Sequence, residues 1–98
     1  MNGQNLQRKV VIRNPVGFHM RPQQAFAQLA QQFQCSVTLV KDGRRVNGKS
    51  PFELLLMSVP EGSELVLETN GSDAQEALDA LAELLASPTV ADEPDPPS

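Results

Sequence analysis

Apolar and polar positions change their spacing several times along this chain, and each change marks an element. From Leu6 to Arg13 they alternate. Leu6, Val10 and Ile12 fall on one side and Gln7, Lys9 and Arg13 on the other, the period-two mark of a half-buried strand. Asn14-Pro15-Val16-Gly17 breaks that strand. Between Met20 and Phe33 the spacing becomes helical: Phe26, Leu29, Ala30 and Phe33 stand at i, i+3, i+4 and i+7, and glutamines cover the other side. Pro22 suits the first turn, where N–H groups lack intrahelical partners. A residue before Pro disfavours the α region, so the helix starts either at Met20, with Arg21 strained, or at Pro22. Cys35 to Lys41 alternates again, with Cys35, Val37 and Leu39 against Ser36, Thr38 and Val40. Asp42-Gly43 then signals a tight hairpin, because a type I′ turn needs positive φ at both central residues, and Arg44 to Asn47 returns.

Ser50-Pro51-Phe52-Glu53 reads as a helix start, with Ser50 as cap, Pro51 at the first helical position and Glu53 completing a capping box. The helix continues through Leu54-Leu55-Leu56-Met57 and stops before Pro60. Four consecutive apolar residues cover every side of a helix, whereas a short helix on a sheet buries one. Some of Phe52, Leu55 and Leu56 are therefore expected at the surface, as a partner site or under a loop. After the turn at Glu61-Gly62, Glu64 to Thr69 alternates with Leu65 and Leu67 inward, up to Asn70-Gly71. Ser72 or Asp73 is read as the cap of a last helix, matched by Gln75 or Glu76, with Ala74, Ala77, Leu78, Leu81 and Leu85 as its stripe. The order is βαββαβα, which predicts an α+β domain over residues 1–86. Its antiparallel sheet carries helices on one face and leaves the other wet. Residues 87–98 hold four prolines and three acids and little to bury, so a disordered acidic, Pro-rich tail is expected there.

Composition narrows the function classes. The chain of 98 residues has one Cys, no Trp or Tyr and four Phe, so aliphatic residues and alanine must fill a thin core. Cys35 can form no internal disulfide or Cys pair for a metal, and reads as a small buried hydrophobe. All eight Lys and Arg lie between Arg8 and Lys49, while eleven of the twelve acids lie from Glu53 onward. That asymmetry suggests a basic face, unless the strands interleave the two halves. Nucleic-acid binding would want more basic residues and exposed aromatics, and is not expected. Met1 to Gln7 is polar with no apolar leader core, and no apolar run reaches the roughly 20 residues that span a bilayer. A cytoplasmic protein without membrane contact is the expectation.

Candidate chemistry concentrates in Gly17-Phe18-His19-Met20-Arg21-Pro22. A single histidine excludes a triad built on two or a His-rich zinc site, and the glycines are too dispersed for a P-loop. No metal or cofactor is expected. Asp73 and Glu76 read as helix-start charges rather than a catalytic pair. His19 stands where helix N–H groups point at an incoming anion, with the guanidinium fork of Arg21 two residues on. Imidazole is a competent nucleophile near neutral pH. On these features alone His19 is either a phosphoryl acceptor or an ordinary cap or surface residue.

That hexapeptide resembles the active-site signature of HPr, the histidine-containing phosphocarrier family of the bacterial phosphoenolpyruvate-dependent phosphotransferase system. Val46-Asn47-Gly48-Lys49-Ser50 with Met57-Ser58 resembles the family's regulatory-serine segment and short second helix. Gly62-Ser63-Glu64-Leu65 resembles the entry to its last strand, and Asp73 to Leu81 its final helix. The likeness covers about residues 8–86. It implies an open-faced β-sandwich, four antiparallel strands covered on one side by three helices. It also implies that His19 accepts a phosphoryl group on Nδ1 from enzyme I, that Arg21 steadies it, and that an enzyme IIA domain receives it. The chain would be a monomeric carrier, a phosphoryl-transfer intermediate with no turnover reaction of its own. Ser50 matches the serine modified by a dedicated kinase/phosphorylase, and Met20, Gln24, Pro51, Phe52 and Leu55 fall on the partner-docking surface. The second reading is a regulatory binding module controlled at Ser50, outside sugar transport. The chain departs from the pattern where Val16 replaces a polar residue, Met20 an alanine, Gln23-Gln24 small residues, and Pro51 a large apolar one.

Overall fold

The computed structural model describes residues 4–88. The alternation at the start of the chain becomes strand β1, Gln4–Val11, two residues earlier at each end than the pattern suggests. Ile12 leaves the ladder but keeps pairing: its N–H donates to Ser63 O and its carbonyl accepts from Gly62 N, both at 2.8 Å. The second alternating run gives β2, Ser36–Lys41, and the return strand is β3, Arg44–Asn47. Asp42 (φ 52°) and Gly43 (φ 82°) both sit at positive φ between them, as the hairpin signal requires. Strand β4, Glu64–Gly71, runs past Asn70 because Gly71 still pairs with Gln4.

The four strands form one antiparallel sheet in the order β1-β4-β2-β3. Leu67 faces Leu39 and Leu39 faces Val46, so one row of inward side chains crosses three strands. Helices α1 (Met20–Ala30) and α3 (Ala74–Ala86) and the short α2 (Pro51–Leu54) cover this face. Together they complete the open-faced sandwich in the predicted order. The core joins Phe26 and Ala30, Leu39, Leu54, Leu65 and Leu67, and Leu81, all fully buried. At about 25 cal/mol per Å² of apolar surface removed from water, this layer is the main term holding the domain together. The other sheet face is wet. There Glu68 accepts from Gln7 Nε2 (2.9 Å) and from Arg45 (2.5 Å).

Several local expectations need correction. The chain's basic and acidic halves do not separate: Arg8 pairs with Asp79 at 2.8 Å and Arg45 with Glu68, so strand interleaving mixes them. Helix α1 starts at Met20 and stops at Ala30 rather than Phe33. Gln32 and Phe33 bond only three residues back, and the next two N–H groups, of Gln34 and Cys35, turn away to Asp73 at 2.8 and 2.9 Å. Asp73 is therefore at the α3 cap position without capping it, and no box forms with Gln75, which bonds Asp79 instead. Glu53 likewise leaves its box half made. Ser50 Oγ does accept from Glu53 N, at 3.3 Å, but the Glu53 carboxylate takes Asn47 N at 2.9 Å. Leu55–Met57 continue α2 as a single 3₁₀ turn. Gln23 is no surface glutamine; it is 2% exposed. From residue 89 onward, the tail expectation lies outside the described residues.

Cys35 is buried as expected, and burial, with Asp73 beside it, pushes its thiol up to about 11. It stays protonated and unreactive at neutral pH.

Candidate functional site: the histidine at the mouth of the first helix

The loop into α1 is held at every step. Asn14 Oδ1 accepts from Val16 N (3.0 Å) and Asn14 O from Gly17 N (2.8 Å), an Asx-type turn that brings the chain round. Phe18 N donates to Val59 O (2.8 Å), and the Phe18 ring enters the core edge-on to Phe26, with centroids 5.8 Å apart. Gly17 lies between these anchors at φ +78°. A Cβ there would stand 2.5 Å from Val59 O and 3.2 Å from His19 Nε2. The position must be glycine, and the imidazole lies over it with its Nε2 edge inward.

His19 is exposed and occupies the N-cap position with extended backbone (φ −107°, ψ −160°). Its carbonyl accepts the first helical bond, from Gln23 N at 2.9 Å, so Pro22 sits in the first turn without removing any helix bond. Its side chain caps nothing, and the first turn carries no acid. The positive end of the helix dipole and the exposed Arg21 thus share one turn with a side chain that is free to react.

Ser50 lies elsewhere, as the cap of α2. Neighbouring Lys49 is turned back, its ammonium donating to Phe33 O at 2.6 Å, where a cation suits the end of α1. Beside His19, the structure brings Met20, Gln23, Gln24, Pro51, Phe52 and Leu55 around one shallow apolar depression of about 180 Å³. Phe52 is 84% exposed and Leu56 60%, so the short helix does leave apolar side chains in water. Leu56 is exposed as the run of four apolar residues predicts, whereas the burial of Gln23 is what the sequence pattern did not single out. For Gln23 the chain carries no signal of burial, because its partners are distant in sequence. Among the described residues no group of His, Cys, Asp or Glu could hold a metal ion, and no helix is long and apolar enough to cross a membrane.

These features make a small two-layer α+β domain that displays one imidazole at a helix mouth beside an apolar surface. The pattern of the PTS HPr component phosphorylation site matches residues 6–87. The phosphocarrier protein HPr of Cupriavidus necator is 40% identical over 82 residues, 84% of this chain and 92% of that protein. The HPr-like protein Crh of Bacillus subtilis is 43% identical over 77 residues, 79% and 91% of the two chains. A crystal structure of HPr from Bacillus anthracis superposes with a TM-score of 0.80 at 36% identity, covering 83% of this chain and 96% of that one. The chain belongs to the HPr family of phosphocarrier proteins of the phosphotransferase system.

Proposed function

We propose that this chain carries a phosphoryl group on His19, taking it from phospho-enzyme I and handing it to an enzyme IIA domain. The carrying observation is the exposed His19 ring, without a capping bond, at the mouth of α1. The family likeness makes Nδ1 the acceptor, and Nε2 is the ring nitrogen near Gly17. Its lone pair attacks phosphorus, the bond to the donor breaks, and that electron pair leaves with the donor. The fork of Arg21 and the opening N–H groups of α1 then hold the phosphoryl oxygens. Delivery to the IIA domain runs the same exchange in reverse sense. Met20, Gln24, Pro51, Phe52 and Leu55 supply the contact surface for both partners, which bind one at a time.

The test is incubation with phosphoenolpyruvate and the cognate enzyme I. Acid-labile, base-stable phosphate on the protein is expected. A His19→Ala variant that still took label would sink the reading.

A second reading is regulatory control at Ser50 by a kinase/phosphorylase. It is favoured by a half-buried Ser50 opening α2 two residues from Phe52, the most exposed large apolar side chain of the surface. A phosphate there keeps a negative charge at a helix start while changing the docking face. Cell extracts that contain no phosphoserine on this chain, whatever the carbon source, count against it.

A further inference from the structure

Among the described residues, Gln23 is the most deeply buried polar side chain beside the site. Its Nε2 lies 2.9 Å from Phe18 O, 2.7 Å from Leu54 O and 2.9 Å from Ser58 Oγ. Ser58 Oγ gives its own hydrogen to Leu55 O (3.1 Å), so toward Gln23 it accepts. Three acceptors converge on one NH₂ group, which fixes the amide's orientation. A flipped amide would set Oε1 against two carbonyls. The unflipped one leaves Oε1 buried with no partner. A buried acceptor without a partner is unfavourable, so the arrangement is held by what the NH₂ side does.

Phe18 O belongs to the peptide bond that leads into His19. Leu54 O and Ser58 Oγ belong to α2 and the turn after it. We propose that Gln23 is a positioning residue for phosphoryl transfer. Its amide locks the Phe18–His19 peptide plane to the docking helix, so the imidazole is presented at a fixed angle to a partner seated on Phe52 and Leu55. Gln23 does not touch the phosphoryl group; it acts through the backbone of the acceptor. The inference rests on the carrier function proposed for His19.

Two near-isosteric variants test it. Gln23→Met fills the same space with no donor. Gln23→Glu places an acceptor against two carbonyls when ionised, and regains one donor when protonated. With phosphoenolpyruvate and enzyme I, Gln23→Met should lower kcat for labelling by ~10- to 100-fold, the scale of a misplaced reacting group, with KM for the carrier nearly unchanged. The rate of Gln23→Glu relative to wild type, measured at each pH, should rise as pH falls and the carboxyl takes up its proton. The NMR signals of the His19 ring should shift in both variants without any partner present. Thr69→Val is the stability control. It removes a buried bond from Thr69 Oγ1 to Ala74 O (2.9 Å) far from the site, and should lower Tm while labelling at the wild-type rate.

Wild-type labelling and unshifted His19 signals in Gln23→Met overturn the proposal, as does a Gln23→Glu to wild-type ratio that is flat with pH. A slowed Thr69→Val of matched Tm reduces the Gln23 effect to stability and overturns it too. If the wild-type chain itself takes no label, the carrier function falls, and the positioning role falls with it.

Discussion

Two helix mouths in this molecule are built from similar sequence, a polar residue followed within three positions by proline, and they end in opposite states. At α2, Ser50 Oγ accepts from Glu53 N, and Glu53 places a carboxylate in the first turn. At α1, His19 sits at the same cap position, its side chain accepts nothing, and no acid follows. The first mouth is satisfied by its own residues; the second keeps its positive end for something from outside. On the role proposed for His19, the α2 mouth serves stability and the α1 mouth reactivity, and substitutions at the two should separate accordingly.

The sharpest separation is at the cap residues themselves. His19→Ala should abolish acid-labile labelling while leaving stability within about 0.5 kcal/mol, since the exposed ring makes no capping bond. A large fall in Tm in thermal unfolding would mean that His19 is a structural cap after all. Gly17→Ala acts on the same mouth through the backbone. A Cβ 2.5 Å from Val59 O at φ +78° should destabilise by about 2–4 kcal/mol in urea unfolding, and slow labelling in the fraction that stays folded. Arg21→Lys keeps the charge and loses the fork, and should slow transfer roughly 10- to 100-fold with little change in Tm. Ser50→Ala is the mirror experiment. It should lower stability by about 1 kcal/mol and leave labelling of His19 at the wild-type rate. If Ser50→Ala slows labelling as Arg21→Lys does, the two mouths are not independent.

The contrast between the mouths was only half legible in the chain. Period-two and helical spacings located β1, β2, β4, α1 and α3 because the core is made of aliphatic side chains whose burial follows period directly: Val37, Leu39, Leu65, Leu67 and the stripe of α3 are all inside, while β3 came from its turn and α2 from its cap. The motif at Gly17–Pro22 was also readable, since positive φ, a helix start and a lone imidazole each leave a residue-type mark. What spacing could not reveal is where polar side chains spend their hydrogen bonds. Gln23 reads as a surface glutamine, and its burial depends on acceptors 5, 31 and 35 residues away. Glu53 was assigned to the Ser50 backbone and serves Asn47 instead, because the turn after β3 brings that N–H within 2.9 Å. Local cap rules rank nearby partners; the fold supplied nearer ones from distant sequence.

A third mouth, that of α3, extends the comparison with the smallest expected effect. Asp73 has the right residue type and position to cap, yet its carboxylate is taken by Gln34 N and Cys35 N, which end α1 and start β2. Those bonds, Gln34 N first, hold the Asp73 carboxyl below its ordinary 3.8. A group whose folded value is lowered adds stability above its unfolded value, and loses it as pH falls through the folded one. The gap in Tm between wild type and Asp73→Asn should therefore be constant from neutral pH down to about 4 and close progressively below 3.8. Asp79, lowered by Arg8, remains in both proteins and supplies the acid dependence they share. Because Asp73 also raises the Cys35 thiol, the Asn variant should bring that thiol down from about 11 and speed its reaction with a small alkylating reagent at alkaline pH. A gap that is as wide at pH 3 as at pH 7 would show that Asp73 acts as a neutral hydrogen-bond acceptor. All three mouths would then differ only in which residue accepts, and not in where the charge is used.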